Sequence, residues 1–382
     1  MVQKIFMTLT LMLACLSCFL PAVWADPGVS AQSAIVLEKD SGRVLYQKNA
    51  EKQMPMASTT KIMTAIVALE QGDPAAQVQI SPAAAGVEGS SMYLETGEKL
   101  TLEELLYGLM LSSGNDAAVA IAEHFGGTEA FVGLMNQKAQ EIGANNTHFA
   151  NPNGLPDDTH YSTSHDMATI TAYGLKNPKF AEIVATKSYQ IAGEGKAYTR
   201  TLTNHNKLLN ICEGCIGVKT GFTKAAGRCL VSAAQREDMT LICVTLNAPD
   251  DWNDHCNLYQ DMFSKYKLTP ILRAGKSLGD IAVLDSDTAS LPISSAENYS
   301  YPLTEGEQCI TTLSIKPDLE APVADGTDGG TVTVQLGQAN LATLPLTVNG
   351  TAEKRPVLEK VKRGLRLNLG ELYWGWLTLL HF

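Results

Sequence analysis

Two residue types at a spacing of three suggest a nucleophile and its base. Ser58 and Lys61 form an S-x-x-K pair, and residues three apart share one face of a helix, so the lysine amine can reach the serine hydroxyl. Burial and nearby positive charge lower a lysine pKa, which lets the amine act as a general base. The amides of the first helical turn add donors for an oxyanion. The pair predicts serine acyl transfer without histidine.

A second motif, S-x-N, follows at Ser113 and Asn115. The Ser113 hydroxyl can relay a proton to a leaving amine, and the Asn115 amide can hold a peptide group of a substrate. Taken alone, the motif also fits a turn between helices in which Asn115 or Asp116 caps the next helix. Its position in the chain after the S-x-x-K pair favours the catalytic interpretation.

The third motif is K-T-G at Lys219, Thr220 and Gly221. Lys219 adds positive charge, Thr220 offers a hydroxyl to a terminal carboxylate, and the bare Gly221 lets a substrate backbone lie against the strand. A lysine on a solvated strand is the plain alternative. A second S-x-x-K match, Ser264 with Lys267, lacks the following apolar run and indicates an exposed helix end.

The elements around these motifs predict an α+β catalytic domain with an antiparallel sheet and helices, in which strands from both ends of the domain close one sheet. A hairpin is expected at residues 33–37 and 43–47, because a turn with Asp and Gly joins them. Further elements are predicted as helices at 58–70, 101–111, 116–124, 129–143 and 251–266, and as strands at 216–220, 227–235 and 239–248.

Composition divides the chain into four segments. Residues 1–25 predict a cleaved signal peptide, since Lys4 precedes an apolar run that ends at Ala25; an uncleaved anchor is the alternative. Residues 26–269 are expected to form the catalytic domain, and 270–351 a small β-sandwich-like domain of short alternating runs.

With 29 basic and 40 acidic residues, the chain is a poor candidate for binding nucleic acid.

The last segment, residues 352–382, predicts an amphipathic helix that binds a membrane surface. Its apolar residues recur every three or four positions, basic residues crowd its first half, and Tyr373, Trp374 and Trp376 lie near its end. Anionic lipid would attract the basic residues. The alternative is a helix packed on the β domain.

Six cysteines would remain after cleavage, an even number that permits disulfides in an exported protein. They are Cys212, Cys215, Cys229, Cys243, Cys256 and Cys309. The C-x-x-C at Cys212 and Cys215 leaves a local disulfide open, but it has no second ligand pair at zinc spacing. We therefore expect no metal and no cofactor.

The three motifs occur together in serine β-lactamases and penicillin-binding proteins, and the longer runs around them resemble the D-alanyl-D-alanine carboxypeptidases. Those runs are residues 54–64, 111–118, 147–155 and 217–223. The resemblance covers about residues 30–265 and implies an exported enzyme, peripheral on the outer face of the bacterial cytoplasmic membrane. The β domain and terminal helix also look typical of this family.

The resemblance also implies roles for individual residues. Ser58 would attack the bond between two terminal D-alanines of a peptidoglycan stem peptide, with Lys61 as base and Ser113 as relay. The backbone amides of Ser58 and Phe222 would form the oxyanion hole, and Asn115, Lys219, Thr220 and Gly221 would bind substrate. β-Lactam antibiotics would acylate Ser58 as substrate mimics.

Two other functions share some of these features. A class A β-lactamase has the same motifs but needs a carboxylate that primes the deacylating water; Glu141 and Asn145 match that spacing, and we interpret the match as accidental. A non-catalytic wall-binding or penicillin-sensing protein would not need the complete set of catalytic side chains.

Overall fold

The computed structural model describes residues 28–192 and 199–356. The chain divides into two compact units between Met262 and Phe263. No helix within these described ranges is long and apolar enough to cross a membrane. The predicted signal peptide and most of the predicted terminal helix lie outside the described residues.

The first unit alternates helices with short strands before it ends in three long strands and a helix. Its elements are β1 (Ser33–Glu38), β2 (Val44–Lys48), a 3-10 turn (Ala57–Thr60), α1 (Lys61–Gln71), β3 (Gln77–Gln79), α2 (Pro82–Ala85), β4 (Lys99–Thr101), α3 (Leu102–Leu111), α4 (Asn115–His124), α5 (Thr128–Glu141), α6 (Ser164–Gly174), α7 (Pro178–Ala185), β5 (Ser188–Ala192), β6 (Thr199–Thr203), α8 (Leu208–Ile211), β7 (Cys215–Thr223), β8 (Gly227–Arg236), β9 (Met239–Leu246) and α9 (Asp251–Lys265).

The main sheet confirms that strands from both ends of the domain close it. Its order is β2-β1-β9-β8-β7, and all neighbours are antiparallel. The strands β1 and β9 are buried along their whole length, and their mostly apolar sequences fit strands covered on both faces. The strand β7, which carries the K-T-G motif, is an edge strand of this sheet.

A helical layer centred on α1 packs against the sheet. The α1 residues from Lys61 to Ala68 are all buried, because the sequence is apolar around the whole helix and neighbouring helices cover every side. The helix α3 begins with a capping box, in which Thr101 and Glu104 satisfy each other's backbone N–H groups. It ends at the loop that holds the S-x-N motif.

Helices α6 and α7 and the β5–β6 hairpin were not predicted from the sequence. The helix α6 consists mostly of small and polar residues and starts at a Thr163 cap, whose hydroxyl accepts from the Asp166 amide at 3.0 Å. Such a sequence has no apolar stripe because the helix is buried on several sides by its neighbours. Tertiary packing, rather than local pattern, fixes this helix.

The second unit is a sheet structure that contains β10 (Lys267–Leu272), β11 (Ser277–Leu284), β12 (Ser290–Ser295), β13 (Tyr299–Leu303), β14 (Cys309–Ile315), β15 (Leu319–Glu320), β16 (Asp328–Leu336) and β17 (Ala339–Val348). Six strands form one sheet in the order β14-β16-β17-β12-β11-β15, and β10 pairs with β13. Alternating Val and Leu side chains of β16, β17 and their neighbours form its core. The expected all-β character of this segment is confirmed.

Candidate active site

Ser58 lies in the 3-10 turn directly before α1, one turn earlier than the helix itself begins. Side chains three apart eclipse each other in a 3-10 turn, so Ser58 stands over Lys61. The residue before it, Ala57, has a φ of 49°, a left-handed conformation that costs energy in a residue with a Cβ. The chain is therefore forced into a sharp bend at the serine.

The Lys61 amine has three partners at short range. Its Nζ is 3.0 Å from Ser58 Oγ, 2.7 Å from Asn115 Oδ1 and 2.6 Å from the Asn153 carbonyl oxygen. The amide and carbonyl oxygens only accept, so they take two N–H bonds. A neutral amine then directs its lone pair along the third direction, toward the Ser58 hydroxyl. In this arrangement a neutral Lys61 amine can accept the serine proton.

Electrostatics favour that neutral form. Lys61 is fully buried, and burial, followed by the charge of Lys219, lowers the pKa of Lys61 well below its usual value, while Asp116 opposes the shift. Burial alone lowers the pKa of Lys219 to about 7. Lys219 is therefore poised to change charge near physiological pH, and the lowered pKa of Lys61 favours its neutral amine.

Two glycines lie close to the backbone at Ala57 and Ser58. A Cβ on Gly154 would lie 2.0 Å from the Ala57 carbonyl oxygen and 2.9 Å from the Ser58 amide nitrogen, and Gly154 has a φ of +86°. A Cβ on Gly221 would lie 3.0 Å from the same Ser58 nitrogen. Only residues without side chains allow this approach, which brings the edge strand β7 to the Ser58 amide.

The S-x-N motif is held by the loop between α2 and β4. Asn115 donates through Nδ2 to the Glu88 carbonyl and through its backbone amide to the Ser90 carbonyl, both at 2.7 Å. The buried Asp116 carboxylate accepts from the Ser91 hydroxyl at 2.6 Å, and also from two backbone amides of this loop. Ser113 itself adopts a φ of 59°.

A cleft of about 290 Å³ opens beside Ser58. Five of the predicted site residues line it, namely Ser58, Ser113, Thr220, Gly221 and Phe222. The other three, Lys61, Asn115 and Lys219, are buried. The hydrogen bonds described above join Lys61 to Ser58 and Asn115, and Lys219 Nζ donates at 2.9 Å to the carbonyl of Thr220, which lines the cleft. All eight residues therefore converge on one place in the first unit.

Sequence reasoning missed several residues of this site. The Asn153 carbonyl is a backbone acceptor and has no side-chain signature, although it lies within the family-like run 147–155. His205, Arg228, Asp251 and Trp252 also line the cleft. The sequence offers one indication of these residues, because Arg228 lies in the hairpin that follows K-T-G.

Glu141, the carboxylate that a class A β-lactamase would require, does not line the cleft. It ends α5 with an exposed side chain and pairs with Lys138 at 2.7 Å. That pairing lowers the pKa of Glu141.

Ser264 of the second S-x-x-K match is exposed in the last turn of α9, and Lys267 is already in β10.

Five of the cysteines, Cys212, Cys215, Cys229, Cys243 and Cys256, are free thiols in the described part of the chain, and burial raises the pKa of the Cys215 thiol to about 11. Across residues 28–192 and 199–356, no cluster of three or more His, Cys, Asp or Glu side chains is arranged to hold a metal ion.

Comparison with known proteins gives consistent matches over both units. A family model described as D-alanyl-D-alanine carboxypeptidase matches residues 22–250, and one described as penicillin-binding protein 5, C-terminal domain, matches residues 266–354. D-alanyl-D-alanine carboxypeptidase DacF of Bacillus subtilis is 33% identical, covering 87% of this chain and 88% of its own length. D-alanyl-D-alanine carboxypeptidase DacA of Haemophilus influenzae is 30% identical, and the match covers 92% of this chain and 90% of the relative's length.

Among solved structures, penicillin binding protein 5 from Haemophilus influenzae aligns with a TM-score of 0.73 at 29% identity and covers 87% of this chain and 100% of its own. A D-alanyl-D-alanine carboxypeptidase from Mycobacterium tuberculosis aligns with a TM-score of 0.61 at 34% identity, covering 64% of this chain and 95% of its own. The sheet and helical layer described above are thus shared with these proteins.

Replacing Gly154 with Ala should slow acylation of Ser58 by about 10- to 100-fold, because the added methyl group would push the Ala57–Ser58 backbone out of place. The rate is measured by mass spectrometry of the protein after mixing with a thioester acyl donor.

Gly133→Ala is the matched control. This glycine lies inside α5 with open space around it, so alanine should leave the rate unchanged and stabilise the helix by up to about 1 kcal/mol. Equal acylation rates in the two variants would show that contact with Gly154 does not position the serine.

Proposed function

The chain belongs to the D-alanyl-D-alanine carboxypeptidase family, and we propose that Ser58 performs its chemistry on the stem peptides of peptidoglycan. Its activity is that of a serine-type D-alanyl-D-alanine carboxypeptidase. The observation that carries the assignment of Ser58 is the direction of the Lys61 lone pair, which the Asn115 and Asn153 oxygens fix toward the serine hydroxyl.

In the proposed first step, Ser58 Oγ attacks the carbonyl carbon between the two terminal D-alanines while its proton passes to Lys61 Nζ. The amides of Ser58 and Phe222 stabilise the resulting oxyanion. This is supported by Gly221, which brings β7 against the Ser58 amide. The C–N bond then breaks, and the proton moves to the leaving amine through the Ser113 hydroxyl.

In the second step, water attacks the acyl-enzyme ester while Lys61 accepts a proton from it. The bond between the acyl carbon and Ser58 Oγ breaks, Lys61 returns the proton to Ser58 Oγ, and the shortened peptide is released. The edge position of β7 allows an extended substrate to pair with this strand along Thr220 and Gly221. Asn115 uses one amide hydrogen for Glu88, which leaves the other for a substrate carbonyl. Lys219 supplies positive charge beneath the peptide.

β-Lactam antibiotics are proposed to acylate Ser58 in the same way, since their strained amide presents a carbonyl to the same nucleophile. This fits the similarity to penicillin binding protein 5. The proposed scheme uses no metal or cofactor for either the peptide or the antibiotic. Ser58 and Lys61 carry out the acyl and proton transfers, and backbone amides stabilise the oxyanion.

We also propose that the enzyme is exported after removal of residues 1–25 and lies on the outer face of the cytoplasmic membrane. Residues 26–269 would form the catalytic domain and 270–351 the accessory β domain. The basic, aromatic pattern of the last segment supports attachment by a surface helix, since such patterns favour anionic lipid interfaces.

The first test locates the nucleophile. Mixing the protein with benzylpenicillin should add one covalent adduct on the peptide that contains Ser58, and Ser58→Ala should abolish both this adduct and release of D-alanine from a D-Ala-D-Ala peptide. Mass spectrometry and a D-alanine assay give the two readings. An adduct on another serine, or D-alanine release by Ser58→Ala, would contradict the assignment.

A second test uses the charge of Lys219. Acylation should rise with pH as Lys61 loses its proton, and the rise should occur well below pH 10.5. Lys219→Met removes a charge that lowers the pKa of Lys61, so the rise should move up by about one pH unit. Lys138→Met, at a partly buried ion pair outside the cleft, is the control. If the pH dependence of acylation is the same in Lys219→Met and wild type, the charge of Lys219 does not affect the pKa of Lys61.

A third test concerns the membrane. Truncation after Pro356 leaves the pairing of Val323 with Ala352 intact. The shortened protein should hydrolyse a soluble peptide at the full rate but no longer sediment with vesicles that contain anionic lipid. Equal sedimentation of the two forms would exclude a surface anchor in residues 357–382.

A further inference from the structure

His160 is a buried histidine close to the turn that carries Ser58, and the proton transfers proposed above do not use it. Only 4% of this residue is exposed to solvent. Its ring meets the edge of the Phe149 ring, with the two centroids 5.9 Å apart. Both ring nitrogens have hydrogen-bond partners, and these partners belong to different segments of the site.

The hydrogen bonds around the ring fix its tautomer. The Ala150 amide donates to His160 Nδ1 at 3.0 Å, so Nδ1 carries no proton. In a neutral imidazole the proton then lies on Nε2, which is 2.7 Å from Thr60 Oγ1. The Thr60 hydroxyl itself donates to the Ala57 carbonyl at 2.8 Å, so its oxygen accepts from Nε2. One directed chain of hydrogen bonds therefore runs from the Ala150 amide to the Ala57 carbonyl.

The surroundings of the ring keep it neutral. Burial lowers the pKa of His160 to about 4. The charge of Asp157 opposes this shift in pKa, whereas those of His148 and Lys61 add to it. At neutral pH the ring is therefore uncharged, and its Nδ1 is free to accept from the Ala150 amide.

The Ala57 carbonyl, where the chain ends, belongs to the same peptide group as the Ser58 amide. In a trans peptide the C=O and N–H bonds point in opposite directions, so a bond that fixes the Ala57 oxygen also fixes the direction of the Ser58 N–H. That N–H is one of the two donors proposed for the oxyanion. Because the left-handed φ of 49° at Ala57 is not one that alanine prefers, outside contacts must determine the plane of this peptide.

The beginning of the chain lies in the loop that orients Lys61. Ala150 precedes Asn153 by three residues, and the Asn153 carbonyl accepts from Lys61 Nζ at 2.6 Å. A hydrogen bond on the Ala150 amide limits the movement of this loop. The His160 ring thus ties the segment that directs the lysine lone pair to the turn that carries the serine amide.

We propose that His160 is a positioning residue for the oxyanion donor: through Thr60 it holds the Ala57–Ser58 peptide so that the Ser58 N–H points at the substrate carbonyl oxygen. His160 exchanges no proton with the substrate. The inference rests on the proposed function, because it explains the orientation of a donor used in acylation. Charge develops on that oxygen in the transition state, so the ring affects the rate of acylation more than the binding of the acyl donor.

The experiment measures acylation of Ser58 by a chromogenic cephalosporin in a stopped-flow instrument over a range of cephalosporin concentrations. The rate at saturation reports the chemical step, and the concentration at half saturation reports binding. His160→Leu and His160→Gln form the informative pair. Their side chains are similar in volume, but only the glutamine can place an N–H donor beside the Thr60 hydroxyl.

We expect His160→Leu to lower the saturating rate by about 20-fold, because a misdirected amide stabilises the oxyanion poorly. The half-saturating concentration should stay within about twofold of wild type, since binding of the ground state does not depend on this donor. His160→Gln should keep about half of the wild-type rate or more, because it restores the bond to Thr60.

A second pair of variants tests the middle of the chain. Thr60→Val removes the hydroxyl that links the ring to the Ala57 carbonyl with little change in shape, so it should lower the saturating rate as much as His160→Leu does. Thr171→Val is the matched control. Its buried hydroxyl donates at 2.7 Å to the Met167 carbonyl inside α6, and its saturating rate should equal that of wild type.

Equal saturating rates in His160→Leu and His160→Gln would show that the ring acts through its volume alone and would overturn the proposal. A wild-type rate in Thr60→Val would also overturn it, and that result stands even if the His160 variants fail to fold. Wild-type protein that the cephalosporin does not acylate at Ser58 would instead overturn the proposed function.

Discussion

The site depends on a lysine that is kept out of water. A charged ammonium is costly to bury, so the fold that surrounds Lys61 with α1, α4 and the loop at Asn153 favours its neutral form. The same neighbours supply two oxygens that fix the direction of the lone pair. Desolvation favours the unprotonated amine, which is then able to accept the Ser58 proton, and the bent turn before α1 puts the serine within reach.

Backbone contacts then determine where the serine lies. Gly154 and Gly221 come from segments far apart in the sequence, yet both touch the Ala57–Ser58 peptide. A packed backbone cannot shift by much without disturbing its neighbours, so the turn is held between the loop and the edge strand. The left-handed Ala57 is tolerated because this packing determines its conformation.

Much of this arrangement could be predicted from local spacing. The Ser58–Lys61 contact follows from their three-residue separation, and the closed sheet follows from strand patterns at both ends of the domain. The Asn153 carbonyl could not be predicted, since any residue has a carbonyl oxygen. The Arg228–Asp251 pair joins residues that only the fold brings together, and α6 lacks an apolar stripe because its surroundings bury it on several sides.

The edge position of β7 has a further consequence. Sheet edges invite aggregation, and proteins commonly protect them with proline, bulges or a covering loop. None of these devices can be placed along Thr220 and Gly221 without closing the groove to a peptide. On the proposed mechanism, the edge that receives a peptide is also open to the strands of misfolded neighbours, so catalysis and colloidal stability make opposing demands on the same row of backbone amides.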